Sequence, residues 1–122
     1  MSKHRIAWLP GDGIGVEVMD AARVVLDALA LEAEYVDGDI GWDFWCHEGD
    51  AFPPRTIDLL RNVDAAMFGA ITSKPVKAAE AELVAPLRGS GLVYRSPIVR
   101  MRQLFDLYTC LRPCKAYPGN GL

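Results

Sequence analysis

The stretch "WLPGDGIGVEV", residues 8–18, runs from a short apolar segment through a loop of three glycines and an aspartate into an amphipathic pattern. "RIAWL", 5–9, reads as a buried strand, and "VEVMDAARVVLDALA" carries apolar residues at 18, 21, 22, 25, 26 and 29, which is helical spacing. A loop between a strand and a helix N-terminus offers free backbone N–H groups and the positive end of the helix dipole to an anion or a ribose. The dinucleotide fingerprint G-x-G-x-x-G needs its last glycine where Val16 stands; here Gly11, Gly13 and Gly15 are evenly spaced. Taken alone, the loop reads as a tight turn rather than a pyrophosphate site.

Working outward, "AEYVD" at 33–37 reads as a second strand and "AAMFGAI" at 65–71 as a third, glycine-bounded and buried. Between them "GWDFWCHEGDAFPPRTIDLLRNVD" predicts a short helix, a loop at Pro53 and Pro54, and a helix through Ile57, Leu59 and Leu60. Strands alternating with helices predict an α/β fold, a layered, mainly parallel sheet flanked by helices. Thr72, Ser73 and Pro75 mark a loop, Lys77 to Leu83 a short polar helix, and "RGSG" its tip. Ser96 before Pro97 matches an N-cap with proline at the first helical position, for a helix ending near Asp106. "LYTCLRPCKAY" then reads as extended.

The 122 residues suffice for one domain with a genuine core and not for two. Hydrophobic residues at 51% and charged residues at 24% are those of a folded globular chain. A net charge of −3 supplies no basic field, so nucleic acid and an anionic membrane surface are poor partners and a small metabolite or another protein a better one. No apolar run is long enough to span a bilayer. Cys46, Cys110 and Cys114 are odd in number, lack metal-type clustering and follow no secretory leader, which points to a reducing cytoplasm; they are expected as small buried hydrophobes.

Arg100, Arg102 and Arg112 carry the chemistry. Arg102 lies on the predicted helix and Arg112 on the extended segment ten residues on, so a helix-to-strand reversal brings both guanidiniums toward one pocket. Planar guanidiniums pair bidentately with carboxylates, which suits a small di- or tricarboxylic acid, and Ser96 adds a hydroxyl. The plainer alternative pairs the three arginines at the surface with Asp106, Glu80 or Glu82. His47 reads as a helix-surface histidine, Trp42, Phe44 and Trp45 as anchors of a helix on the sheet, and Glu80 and Glu82 beside Lys74 and Lys77 as a solvated face.

"LPGDGIGVEV", "GAITSKP" and "SPIVRMRQLFDLYTCLRPCKAYPGN", in this order, resemble the N-terminal part of the isocitrate/isopropylmalate dehydrogenase family, metal-dependent decarboxylating dehydrogenases of 2-hydroxy acids. The resemblance implies the N-terminal part of the isopropylmalate dehydrogenase-like fold. It also implies that Ser96, Arg102 and Arg112 clamp the carboxylates of a malate-like core. Thr72 then stands near the nicotinamide ribose with Ser73 beside it, and the Gly11–Gly15 loop, through Gly13 and Ile14, lines the adenosine side. Ile98 stands where isocitrate enzymes carry an asparagine, and with Val99 it suits an isopropyl group; Arg95 argues instead for a further carboxylate, as in homoisocitrate. Isopropylmalate ranks slightly above isocitrate or homoisocitrate.

The implied cofactors are NAD or NADP, with Mg2+ or Mn2+. In the family the metal-binding aspartates, the catalytic tyrosine and lysine, a third arginine and most cofactor contacts lie beyond this stretch; Tyr108 and Lys115 are not those groups. The resemblance therefore implies that residues 1–122 are the N-terminal segment of the large domain, ending at the entry to the small one. The family continues past "PGN" where this sequence reads Gly121-Leu122, so a fragment, an early stop or a frameshift is expected. Such a chain on its own is expected to lack dehydrogenase activity and to expose apolar surface, while the intact protein is a cytoplasmic homo-oligomer. The alternative is a non-catalytic truncated paralogue or regulatory-type module that binds a carboxylate metabolite or a full-length partner.

Overall fold

The computed structural model describes residues 3–119; the expectation built on Gly121-Leu122 lies outside them. Strand β1 (His4–Gly11) is the middle of a three-stranded sheet of order β2-β1-β3, with β2 (Ala33–Asp37) and β3 (Ala65–Ala70) both parallel to it. Ile6 faces Tyr35 on one side and Ala65 on the other, and Trp8 faces Asp37 and Met67. Parallel neighbours need crossovers, and helices supply them: α1 (Ile14–Ala28) leads to β2, and α2 (Trp42–Glu48) and α3 (Pro54–Leu60) lead to β3. Four consecutive β1 residues, Ile6, Ala7, Trp8 and Leu9, are buried, the mark of a strand covered on both faces.

The α/β fold expected from the sequence is the fold observed. On one face Ala7, Leu9, Ile40 and Phe52 form a core sealed by Ile57, Leu60, Phe68, Met101 and Phe105, so α3 and α5 (Pro97–Leu104) cover the sheet together. On the other face Gly15 and Met19 are the buried residues of α1. The apolar positions assigned to this helix are less covered than its periodicity suggests: Val25 and Leu29 are exposed among the described residues. Amphipathic spacing reports which face a helix prefers to bury, not what lies against it.

A second core stands apart from the sheet. Trp42, Trp45, Ala51, Ala79, Leu83 and Tyr94 pack together, with Cys46 and Leu87 against them. Trp45 donates its indole N–H to the Ala79 carbonyl at 2.8 Å. The tryptophans thus anchor α2 to α4 (Val76–Ala81) and the Tyr94 segment, not to the sheet. The "polar" helix around residue 80 also buries Ala79 and Leu83 completely. The cysteine expectation needs correction too: Cys110 and Cys114 are exposed and Cys46 is half-buried.

Two glycines answer the question posed by the loop after β1. A Cβ on Gly15 would stand 2.2 Å from the Pro10 carbonyl oxygen and 2.6 Å from that of Ala70, so only glycine lets α1 start this close to the sheet. At Gly11, φ is +80° and a Cβ would meet the Ala70 oxygen at 1.9 Å. The loop is first of all a close-packing device.

Candidate functional site

In a 2-1-3 strand order the connections leaving β1 and β3 run to different places, and open α/β sheets bind ligands outside the carboxyl ends of two such strands. Residues 12–14 follow β1 and residues 71–75 follow β3, so both segments lie at that end of the sheet. Asp12 ties them together. Its buried side chain accepts the Thr72 N–H at 2.8 Å and the Thr72 hydroxyl at 2.5 Å through Oδ1, and the Trp42 N–H at 2.5 Å through Oδ2. Gly41 has no side chain because a Cβ would meet Asp12 Oδ2 at 2.6 Å. Buried carboxylates are tolerated where donors converge on them, and here three do.

Tyr94 completes the clamp. Its hydroxyl stands 3.1 Å from Ser73 Oγ and donates to the Thr72 carbonyl at 3.2 Å, and burial pushes its own pKa up. Lys74 reaches Glu82 at 2.6 Å, and Glu82 also accepts the Trp42 indole N–H at 2.7 Å; the Lys74 ammonium and then the Trp42 N–H hold the Glu82 carboxyl below the usual range. The solvated-face reading of Glu82 is thus half right, since one side of it is structural. Gly13 caps α1 with φ +55° and nothing within 4 Å of where a Cβ would be, and Ile14 beside it is 60% exposed. Of the residues that the resemblance assigns to the cofactor, Gly13 is thus open, Ile14 exposed and Thr72 held in place by Asp12.

The other candidate residues lie on and behind α5. Ser96 occupies the N-cap position with Pro97 at the first helical position, as expected, but its side chain makes no capping hydrogen bond. Ile98 and Arg102 are four apart and share one face of the helix, Ile98 being 44% exposed. The helix ends at Leu104, and Asp106 turns the chain in the left-handed region at φ +51°, with the Leu107 N–H returning to the Arg102 carbonyl at 2.9 Å. That reversal carries Arg112 back toward Arg102. Both guanidiniums stand beside the Cys110 thiol, and Arg112 first, then Arg102, holds it below its ordinary pKa. Ser96 is not part of this cluster; it stands at the opposite end of α5, about 9 Å away in helical rise.

Arg100 separates from the other two. It pairs with Asp50 and lies 5.5 Å from the Phe52 ring, on the core side of α5. None of the partners expected for a surface arginine is used by it. His47 is exposed, with Nδ1 2.8 Å from the Asp43 carbonyl, as expected of a surface histidine. Asp12 and Tyr94 are the residues sequence reasoning missed. Asp12 stood inside the loop motif, but its partners are 30 and 60 residues away.

A profile of the isocitrate/isopropylmalate dehydrogenase family matches residues 5–121. The chain belongs to that family. It is 46% identical to protein DlpA of Legionella pneumophila over 90% of its length, and 36% identical to the 3-isopropylmalate dehydrogenase of Methanothermobacter thermautotrophicus over 98%. It is 34% identical to the isocitrate/homoisocitrate dehydrogenase of Thermus thermophilus over 97%. It spans 18%, 30% and 31% of those three proteins. The fold matches the crystal structure of the apo β-decarboxylating dehydrogenase of Thermococcus kodakarensis with a TM-score of 0.57 and 33% identity, over 86% of this chain and 27% of that one. Among the described residues no helix is long and apolar enough to cross a membrane, and no group of three or more His, Cys, Asp or Glu could hold a metal ion.

Proposed function

We propose that residues 1–122 are the N-terminal segment of the large domain of a cytoplasmic, homo-oligomeric NAD(P)-dependent oxidative decarboxylase of a 2-hydroxy di- or tricarboxylic acid. The observation that carries this reading is the family match over residues 5–121, with Arg102 and Arg112, the two cations that act on the Cys110 thiol, as its candidate carboxylate-binding groups. Two guanidiniums around one point offer paired forks to an acid with carboxylates on neighbouring carbons. Ile98, on the Arg102 face, gives the side of that acid an apolar neighbour, which favours 3-isopropylmalate over isocitrate or homoisocitrate. Thr72, Ser73, Gly13 and Ile14 hold the nucleoside parts of the cofactor, whose nicotinamide supplies the hydride acceptor when bound. In this reading the segment orients; it does not transfer protons. A divalent cation, Mg2+ or Mn2+, belongs to the reading through the family relationship, with ligands other than the described residues.

The test is calorimetry of the full-length protein, expressed from its own gene, with 3-isopropylmalate, isocitrate and malate, followed by NAD(P)+ reduction with Mn2+ present. Arg112→Ala is expected to weaken binding of the preferred acid by at least tenfold. Unchanged binding removes Arg112 from the site. Binding of the acid without any turnover would favour a non-catalytic carboxylate-binding paralogue instead.

A further inference from the structure

Tyr94 stands between the two halves of the candidate site. Its side chain is buried in the second core, its ring 5.1 Å from that of Trp42 and 5.4 Å from that of Trp45. Its hydroxyl leaves that core for the loop after β3, standing 3.1 Å from Ser73 Oγ and donating to the Thr72 carbonyl at 3.2 Å. Among the described residues no other hydrogen bond joins residues 71–75 to residues 88–105. Two residues past the tyrosine, Ser96 caps α5, and Pro97 after it is fully buried. The segment 94–97 is therefore pinned at both ends, so a shift of the loop felt at the tyrosine hydroxyl is passed to the start of the helix. The second half of α5 is held elsewhere, by Met101 and Phe105 against the core of the sheet. The end that carries Ser96 and Ile98 thus has a support of its own.

From this arrangement, and resting on the function proposed above, we infer that Tyr94 is a positioning residue that couples the two halves of the site. Through its hydroxyl, a dinucleotide bound at Thr72 and Ser73 sets where Ser96 and Ile98 stand for the acid, and the acid acts back on dinucleotide affinity by the same factor. Coupling of this kind needs a physical contact whose arrangement both ligands bias. Here two hydrogen bonds bridge positions 21 and 22 residues apart, and they are made by a ring that two indoles hold in place. Phenylalanine at this position would keep the packing and drop the bridge.

The full-length protein is titrated calorimetrically, with Mg2+ present, with the acid it prefers, first alone and then saturated with NADH or NADPH, which cannot accept a hydride and so allow no turnover. In the wild type the dinucleotide is expected to change Kd for the acid about fivefold or more. Tyr94→Phe should bring that factor to within about twofold of unity, while Kd for each ligand alone changes less than about threefold. Trp45→Phe removes the indole bond to the Ala79 carbonyl from the same core without touching the loop; it should lower the urea midpoint and keep the factor. Amide hydrogen exchange gives a readout that needs no variant: the dinucleotide alone should slow exchange across residues 94–100 of the wild type. A wild-type factor of unity overturns the inference, as does a Tyr94→Phe factor equal to that of the wild type, an equal loss in Trp45→Phe, or unchanged exchange at residues 94–100. A wild-type protein that fails to bind one or other ligand overturns the function proposed above, and the coupling with it.

Discussion

Trp42 donates its indole N–H to Glu82 at 2.7 Å, joining the first residue of α2 to the residue that ends α4. Glu82 also meets Lys74, and its folded-state pKa lies below the ordinary 4.5. A carboxyl with a lowered pKa stabilises the fold above its unfolded pKa, and the contribution is lost as pH falls through the folded value. Stability is therefore expected to decline from about pH 4.5 downward, and Glu82→Gln should flatten that part of the curve. Urea midpoints measured from pH 7 to pH 3 for both proteins check this; parallel curves would remove Glu82 from the acid response.

Gly15 is expected to tolerate no side chain. Gly15→Ala places a methyl against two backbone carbonyls that cannot swing away, at an expected cost of about 2 kcal/mol. Gly69→Ala, whose Cβ would stand 2.3 Å from the Pro10 oxygen, should cost a similar amount. Val16→Ala, at a neighbouring exposed position, serves as the control and should change stability little. Denaturant unfolding of the three variants gives the comparison.

Cys110 should react with iodoacetamide as a low-pKa thiol. The thiolate is the nucleophile, so its alkylation should reach half-maximal rate at a pH below the 9.0 of an unperturbed thiol. Arg112→Ala should move that midpoint up, and Arg102→Ala should move it up by less. Cys114, for comparison, is also exposed. Mass-spectrometric rates at both sites across pH 6–10 decide the matter.

Asp106 sits at φ +51°, a conformation that aspartate tolerates and branched residues do not. Asp106→Val is expected to destabilise by about 1–2 kcal/mol. Asp106→Gly should be neutral or slightly stabilising. Because the turn carries Arg112, the valine variant should also weaken polycarboxylate binding in the full-length protein, whereas glycine should preserve it.

The three strands were legible in the sequence because each is a short apolar run between turn signals, and the 33–37 strand coincides with its expected bounds. The start of α5 was legible from Ser96-Pro97, since proline at the first helical position loses no hydrogen bond. The turn that separates Arg102 from Arg112 was legible as the end of the predicted helix near Asp106. What could not be read was anything settled by distant partners: the Trp42–Trp45 cluster turned toward Leu83 and Tyr94, and Arg100 toward Asp50. Periodicity encodes which side of a helix is apolar, and that is silent on whether a sheet or a second small core receives it. Asp12 was hidden for a related reason, because a loop aspartate beside glycines has the local look of a turn former.

The backward bend at Asp106 has a mechanical consequence. Its φ of +51° and two hydrogen bonds, from the Leu107 N–H to the Arg102 carbonyl and from the Tyr108 N–H to the Asp106 carbonyl, both at 2.9 Å, fix the direction in which the chain leaves α5. Where the Arg112 side chain comes to lie relative to that of Arg102 is thus governed by a tether in which neither guanidinium takes part.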